Sequence, residues 1–216
     1  MSTRPAPVYP RSLFLFAIFY GGMTCIAGVL GNKLVALGPL AVEGGIFAFL
    51  LLVVTASAVA ELHGRATANR LVLSGFVPLV ASMLLIRLVL ALPPAAFWGS
   101  DRRAAFDMIL GQSARIMLAG MIAYGVSQLL NVFLFTRLGA GRGRLLWLRA
   151  LVASVASQSV DALIFVTVAF YGVAPVTLIL PGQILAKVAL SAVLVAPLVQ
   201  VFVALGRRLD GGAARA

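Results

Sequence analysis

Six long runs of apolar residues, separated by short segments rich in polar residues, glycine or proline, account for most of the chain. Each run has roughly the 20 residues that an α-helix needs to cross the hydrocarbon core of a bilayer. The runs cover about residues 12–30, 45–62, 71–92, 112–135, 148–171 and 179–205. The pattern predicts an all-α integral membrane protein with six transmembrane helices, in which residues 12–205 form the membrane domain between the tails 1–11 and 206–216.

The fifth run carries a polar face. Ser154, Ser157, Gln158 and Asp161 recur at the i, i+3, i+4, i+7 spacing of one helix face, and the opposite faces carry Val, Ala, Leu and Ile. An ionisable side chain at mid-membrane costs about 2.5–3.5 kcal/mol on insertion scales, and it is usually tolerated only in a bundle interior or a wet cavity. We therefore expect Asp161 to be the centre of a polar site that the other helices surround.

The fourth and sixth runs supply the groups that Asp161 is expected to meet. The fourth run has a polar face of the same spacing, formed by Tyr124, Ser127, Gln128 and Asn131. The cations at membrane depth are Arg87, Arg115 and Lys187. Because a buried charge needs a partner, two interpretations stay open. Asp161 pairs with Lys187 or Arg115 only to lock the bundle, or it binds a polar solute while a cation tunes its ionisation.

Three further residues are candidates, each with a simpler alternative. Asn32 follows the first helix and would face the site or cap that helix; Glu61 ends the second helix; Phe47 would stack on a flat ligand or face lipid. The candidate substrate-binding residues are Asp161, Gln158, Asn131, Gln128, Tyr124, Ser157, Lys187, Asn32, Phe47, Arg115 and Glu61. Since residues 55–61 loosely match 157–161, a three-plus-three inverted repeat of the kind found in transporters is also considered.

The composition supports the membrane assignment and excludes a separate soluble domain. Hydrophobic residues make up 62% of the 216 residues and charged residues 11%, against roughly 25% charged in a soluble domain. The net charge of +11 raises nucleic acid as a partner, but the basic residues lie at loop ends, where arginines face anionic lipid. We therefore expect a lipid bilayer and a small-molecule substrate as partners, and no nucleic acid.

The distribution of basic residues predicts the orientation. One side of the predicted bundle would hold Arg4, Arg11, Arg65, Arg70, Arg137, Arg142, Arg144, Arg149, Arg207, Arg208 and Arg215. The other side would hold Lys33, Arg102 and Arg103. Because cytoplasmic loops carry the excess of Lys and Arg, this asymmetry places both termini in the cytoplasm.

No metal site, cofactor site or catalytic centre is predicted. Cys25 is the only cysteine, and His63, the only histidine, has no ligand cluster around it. The glycine-rich segment 139–144 lacks the Lys-Ser/Thr of a phosphate-binding loop. We expect a protein that is not an enzyme. Its transport energy would come from a gradient, from an external energising partner or from trapping of the solute.

An ordered set of residues along the chain resembles one known family. The set is Asn32, Glu61-x-x-Gly64-Arg65, Tyr124-x-x-x-Gln128-x-x-Asn131, Ser157-Gln158-x-x-Asp161, and Lys187 before Pro197. It resembles the queuosine precursor transporter family, also called the vitamin uptake transporter family. The resemblance implies six spans in the bacterial inner membrane and uptake of 7-deazaguanine bases, the cyano or aminomethyl precursors of queuosine in tRNA.

The chemistry of such a base suits the predicted site. A guanine-type edge offers a ring N–H and an exocyclic amine side by side, which one carboxylate accepts in bidentate fashion. Asp161 would provide this carboxylate, and Gln128, Asn131 or Gln158 would reach the carbonyl and the remaining edge. We therefore expect a transporter that imports a queuosine precursor or a related nucleobase through a mid-membrane site centred on Asp161.

The chain departs from the family pattern at two acidic positions, which here are Ser57 and Asn131. Losing two acids predicts that a neutral cyano base suits the site better than an aminomethyl cation. Two other functions stay open: a substrate-binding membrane subunit of an ATP-energised vitamin uptake system, and a non-transporting membrane enzyme or scaffold. A homodimer is also considered, because small residues such as Ala119 and Ala123 permit close helix contacts.

Overall fold

The computed structural model describes residues 10–38, 40–111, 114–139, 145–172 and 176–213. Within them the helices are α1 Arg11–Leu30, α2 Gly45–Ser74, α3 Phe76–Ala91, α4 Ser100–Leu110, α5 Ala114–Arg137, α6 Leu146–Phe170, α7 Val176–Leu190 and α8 Ala196–Ala213. One π-helical turn, Ser191–Val195, joins α7 to α8 just before Pro197. Two short strands, β1 Leu34–Leu37 and β2 Leu40–Glu43, lie between α1 and α2.

Five helical stretches in the described residues are long and apolar enough to cross a membrane. They are Arg11–Leu30, Gly45–Ala91, Ser100–Arg137, Leu146–Phe170 and Leu180–Gly211. The expected helical membrane protein is confirmed at this level. Because Gly45–Ala91 alone has 47 residues and contains both the second and the third predicted span, the number of crossings stays a prediction.

Gly64 turns the chain back within this long stretch. Its φ of 82° and ψ of 166° lie in a region that only glycine adopts readily. Before Gly64, the Ser57 hydroxyl meets Asn131 of α5; after it, the Val72 carbonyl meets Tyr124, roughly two turns nearer the start of α5. The segment after Gly64 therefore runs back along α5.

The strands form an antiparallel hairpin that the sequence pattern did not predict. Leu34 pairs with Glu43 and Leu37 with Leu40. At its end, Gly44 and Gly45 lie directly against the backbone of α1: a Cβ on Gly45 would be 2.6 Å from the Ala27 carbonyl oxygen. Only glycine permits this approach, which fixes Glu43 at the edge of the helix bundle.

The helices differ in how much surface they bury. Residues of α2 form much of the core, with Leu52, Val53 and Val54 nearly inaccessible. None of the residues of α3 is buried, and large apolar side chains along it, such as Val77 and Leu84, are exposed. Such a surface needs an apolar environment, which agrees with lipid around the bundle.

The beginning and the end of the described bundle are joined at one end. The backbone N–H and the hydroxyl of Ser12 in α1 donate to the Asp210 carboxylate of α8, at 3.0 and 2.6 Å. The Ser12 hydroxyl also lies 2.8 Å from His63 Nε2 in α2. The last helix continues to Ala213, past the predicted end at Leu205. Residues 206–213 therefore belong to a helix that these hydrogen bonds join to α1.

Candidate functional site

Asp161 lies within the bundle, on the face of α6 that packs against α5 and α7. It is 3% exposed. Its Oδ1 accepts a hydrogen bond of 3.1 Å from the Ser127 hydroxyl of α5. Its Oδ2 accepts one of 2.5 Å from Nζ of Lys187 in α7. Three helices therefore meet at this carboxylate.

Lys187 is the cation that pairs with Asp161, as one of the open interpretations expected. The ammonium is 2% exposed and also lies 3.8 Å from Oε1 of Glu43 at the end of β2. The Phe49 ring of α2 covers it, with the ring centroid 5.7 Å from Nζ. One ammonium is thus shared between two carboxylates, and the cluster of Glu43, Asp161 and Lys187 has a formal charge of −1 when both carboxylates are ionised.

Asp161 lines a cavity of about 800 Å³. Such a volume lies within the usual range for small-molecule sites. The helices that line it contribute residues from the same end of the bundle: the ends of α1, α4 and α6, the starts of α2 and α5, the middle of α3, and α7. Polar lining residues are Thr24, Asn32, Glu43, Ser82, Tyr124, Asp161 and Gln183. The ion pair therefore does not seal Asp161 from open space.

Aromatic rings form part of the cavity wall. Phe49, Tyr124, Phe165 and Phe170 line it, and the last two pack edge to face with their centroids 6.2 Å apart. The Tyr124 hydroxyl donates to the Val72 carbonyl at 2.8 Å and lies 3.1 Å from the Tyr20 hydroxyl. The rings and the carboxylates together offer flat apolar faces next to hydrogen-bond acceptors.

A second polar cluster lies beyond Asp161, away from the cavity. Gln128 of α5 and Gln158 of α6 are 0% and 1% exposed, and among the described residues neither end of either side-chain amide has a hydrogen-bond partner. The Ser154 hydroxyl of α6 has none within the same part of the chain. We call Gln128, Gln158 and Ser154 the polar strip; they lie between the packed helices α5 and α6. Each buried polar group without a partner costs about 1–3 kcal/mol.

The two positions that depart from the family pattern contact each other. Asn131 Nδ2 donates to the Ser57 hydroxyl at 3.0 Å, and both residues are buried. Neither is among the residues that line the cavity. The two positions at which the resemblance implies acids are therefore held here by one neutral hydrogen-bonded pair outside the cavity.

Four of the predicted site residues lie away from Asp161 or make other contacts. The Arg115 guanidinium donates to the Val168 and Tyr171 carbonyls, both at 2.6 Å, and so caps the end of α6. Glu61 pairs with Arg149 at 3.2 Å. Phe47 is 40% exposed and does not line the cavity. Asn32 does line it, and its side-chain amide also donates to the Gly28 carbonyl at 3.2 Å.

Of the other predicted site residues, Asp161 and Tyr124 line the cavity. The remaining five do not line it but are buried. They are Gln128, Asn131, Gln158, Lys187 and Ser157, whose hydroxyl donates to the Ser154 carbonyl. Sequence reasoning missed Glu43 and Gln183 as site residues. Gln183 lies one turn before Lys187, on the same face of α7, and this spacing was the available signal. Glu43 had no such signal, because its position depends on the hairpin.

Among the described residues, no group of three or more His, Cys, Asp or Glu side chains could hold a metal ion. The Ser12, His63 and Asp210 cluster does not have the order of a catalytic triad. Asp210 bonds the Ser12 hydroxyl directly and lies 3.9 Å from the same His63 nitrogen that this hydroxyl contacts. A triad needs the carboxylate on the other ring nitrogen.

Comparison with known proteins agrees with the resemblance in the sequence. Residues 43–202 match the family described as "Putative vitamin uptake transporter". The "Probable queuosine precursor transporter" of Bacillus subtilis (strain 168) is 34% identical over 118 residues, which are 53% of this chain and 50% of that protein. The chain thus spans about half the length of this curated relative. No solved structure matches the chain at a significant level.

The family match extends from the end of β2 into α8 and includes every helix that lines the cavity except α1. It covers Glu43, Asp161 and Lys187, the charged cluster at the cavity. The chain therefore belongs to the vitamin uptake transporter family.

Proposed function

We propose that this protein imports a 7-deazaguanine precursor of queuosine, or a closely related nucleobase, across the inner membrane of a bacterium. The observation that carries the proposal is a buried carboxylate, Asp161, that opens onto a cavity of about 800 Å³ in a bundle of apolar helices. The name of the relative from Bacillus subtilis supports the class of substrate.

The ligand would bind to Asp161 without breaking the ion pair. A carboxylate has about four lone-pair positions on its two oxygens, and Ser127 and Lys187 occupy two of them. The others are free to accept the ring N–H and the exocyclic amine of a guanine-type edge. Phe49 and Phe165 would lie against the ring faces, and Gln183 would reach another edge.

The polar strip beyond Asp161 supports alternating access. The cavity lies at the end of the bundle away from Glu61 and Arg149. Between Asp161 and that pair, along α5 and α6, lie Gln128, Gln158 and Ser154, which have no hydrogen-bond partner in the part of the chain that the structure describes. In our proposal the structure is open on the outer side, and the strip is the closed inner half of the path. When α5 and α6 separate, these side chains would gain ligand or water as partners.

Six crossings with both termini inside fit this proposal. The chain direction reverses at Gly64, so the 47-residue stretch would supply two crossings instead of one. The arginine-rich ends, including Arg65, Arg137 and Arg149, would then lie together on the cytoplasmic side.

Reconstitution of the purified chain alone in liposomes tests the proposal. We expect 7-cyano-7-deazaguanine to enter the liposomes until the internal and external concentrations are equal. We also expect the base at a hundred times its dissociation constant to stabilise the purified chain by about 2.7 kcal/mol. The matched control is Asp161→Asn in the same liposomes, which should not transport.

The other outcomes distinguish the alternatives. Stabilisation by the base without entry into the liposomes would favour a substrate-binding subunit that needs an ATP-driven partner. Neither stabilisation nor entry, for this base and for purines, would contradict the proposal and favour a membrane enzyme or scaffold.

A further inference from the structure

Glu43 is a carboxylate of the cavity that follows from the hairpin. It is the last residue of β2, opposite Leu34 in the strand register, and its side chain is 21% exposed. It lines the same cavity as Asp161. The close approach of Gly44 and Gly45 to α1 fixes the backbone on its C-terminal side, so the position of this carboxylate is set by the fold.

The charges around the cavity are not balanced. Among the described residues that line it, Glu43 and Asp161 are acidic and none is Lys, Arg or His. Lys187 does not line the cavity; its one positive charge is shared between Asp161, at 2.5 Å, and Glu43, at 3.8 Å. With both carboxylates ionised, the cluster therefore presents an excess negative charge to the cavity at Glu43.

An aromatic ring lies next to these two carboxylates. Phe49 lines the cavity and is in contact with the Lys187 ammonium, which itself lies between Asp161 and Glu43. Since the same ammonium lies next to both carboxylates, a flat base against Phe49 with its edge on Asp161 would bring a short substituent toward Glu43. A positively charged substituent would be attracted to this carboxylate by its opposite charge. The attraction would be stronger than in water, because the dielectric constant inside a protein is lower.

We propose that Glu43 is a specificity residue that binds a positively charged amine substituent of the ligand while Asp161 holds the base edge. The inference rests on the proposed function and adds the charge preference of the site. It reverses the preference for a neutral base that Ser57 and Asn131 predicted from the sequence, because those two residues do not line the cavity and Glu43 does.

Binding of two bases that differ in this substituent tests the inference. The 7-aminomethyl-7-deazaguanine carries an ammonium at neutral pH, and 7-cyano-7-deazaguanine is neutral. We would measure the dissociation constants of both by calorimetry on the full chain in nanodiscs. We expect Glu43→Gln to weaken the aminomethyl base at least tenfold and to change the affinity for the cyano base less than threefold.

Two further variants control for the loss of a carboxylate elsewhere and for the loss of charge at Glu43. Asp107→Asn removes a half-exposed carboxylate of α4 that pairs with Arg103 and should leave both affinities unchanged. Glu43→Asp keeps the charge and should retain part of the preference for the aminomethyl base, and it replaces Glu43→Gln if that variant does not fold.

The outcomes separate this inference from the proposed function. Equal weakening of both bases by Glu43→Gln, or no weakening of either, overturns the role of Glu43 and leaves transport of a 7-deazaguanine standing. A wild-type chain that binds neither base overturns the proposed function and this inference with it.

Discussion

The two oxygens of Asp161 have different partners, and this difference decides what the residue can do. Oδ1 receives a neutral hydroxyl and Oδ2 an ammonium. The ion pair with Lys187 offsets the cost of burying the Asp161 carboxylate among apolar helices. The same carboxylate lines the cavity, where we propose that it binds the ligand.

Glu61 is a carboxylate whose ion pair with Arg149 lies away from the cavity. Its partner Arg149 also donates two hydrogen bonds to the Phe135 carbonyl and lies over the Phe135 ring, 4.5 Å from its centroid. Glu61 thereby ties α2 to α5 and α6. Nothing in this geometry brings it to the cavity.

We expect Glu61→Gln to lower the free energy of unfolding by about 1.5–3 kcal/mol, the contribution of a hydrogen bond to a charged group. The affinity for a 7-deazaguanine base should change less than twofold. Thermal unfolding and calorimetry check both, with Asp107→Asn as an exposed-pair control of near-zero effect. A tenfold loss of affinity at unchanged stability would instead make Glu61 a binding residue.

Much of the candidate site could be predicted at the residue scale, since the i, i+3, i+4, i+7 polar faces of α5 and α6 are buried in the bundle. Which members of a face reach the cavity could not be predicted. Tyr124 and Asp161 line it, whereas Gln128 and Gln158 lie behind it, because helix spacing gives a direction but not the position of the neighbouring helices.

At the scale of elements, the glycines decide where the chain can turn and pack. Gly64 reverses the direction of α2 inside an unbroken run of helix-forming residues, and Gly44 and Gly45 bring the hairpin against α1. Apolar runs of helical length predict helices well. They do not show the hairpin, because its strands have only four, mostly apolar, residues each. They also do not show α4, because many of its residues are polar.

We expect Gly64→Ala to destabilise the protein by about 1–3 kcal/mol, because alanine adopts this φ and ψ only with strain. A Cβ there meets no atom within 4 Å, so the cost would come from the backbone alone. Gly22→Ala, in regular helix and equally free of contacts, is the matched control and should stabilise by about 0.5–1 kcal/mol. Equal effects on the melting temperature would contradict the special role of the backbone at Gly64.

At the scale of the whole molecule, one half of the bundle holds a cavity and the other half holds closed polar contacts. This asymmetry is what an alternating-access transporter presents in one of its two states. The three-plus-three repeat, the homodimer and the cytoplasmic location of the termini stay predictions.

Cys25, the only cysteine in the chain, reports on this asymmetry. It lines the cavity, where its thiol lies 3.5 Å from the Pro78 carbonyl. We expect a membrane-impermeant methanethiosulfonate reagent to modify it from the outer side of the membrane, and a bound base to slow the reaction at least fivefold. Mass spectrometry of the intact chain measures the modification, and Cys25→Ser is the unreactive control. Modification only from the cytoplasmic side would reverse the proposed orientation of the cavity.

Asp161 either binds the ligand or only pairs with Lys187, and variants of these two residues distinguish the two roles. Lys187→Met should destabilise the chain by about 3–5 kcal/mol, because it leaves Asp161 buried without its cation. Adding Asp161→Asn removes that unpaired charge and should restore most of the lost stability. The double variant therefore provides a folded protein without the ion pair.

The deciding measurement is the dissociation constant of 7-cyano-7-deazaguanine for this double variant, obtained by calorimetry in nanodiscs beside the wild-type chain. A neutral base is used so that no charge on the ligand interacts with Glu43, which loses its partner Lys187 in the double variant. We expect binding at least a hundredfold weaker than to the wild type, or about 2.7 kcal/mol. Binding with the wild-type affinity would contradict a role of Asp161 in ligand binding and would leave the Asp161–Lys187 pair as a structural lock.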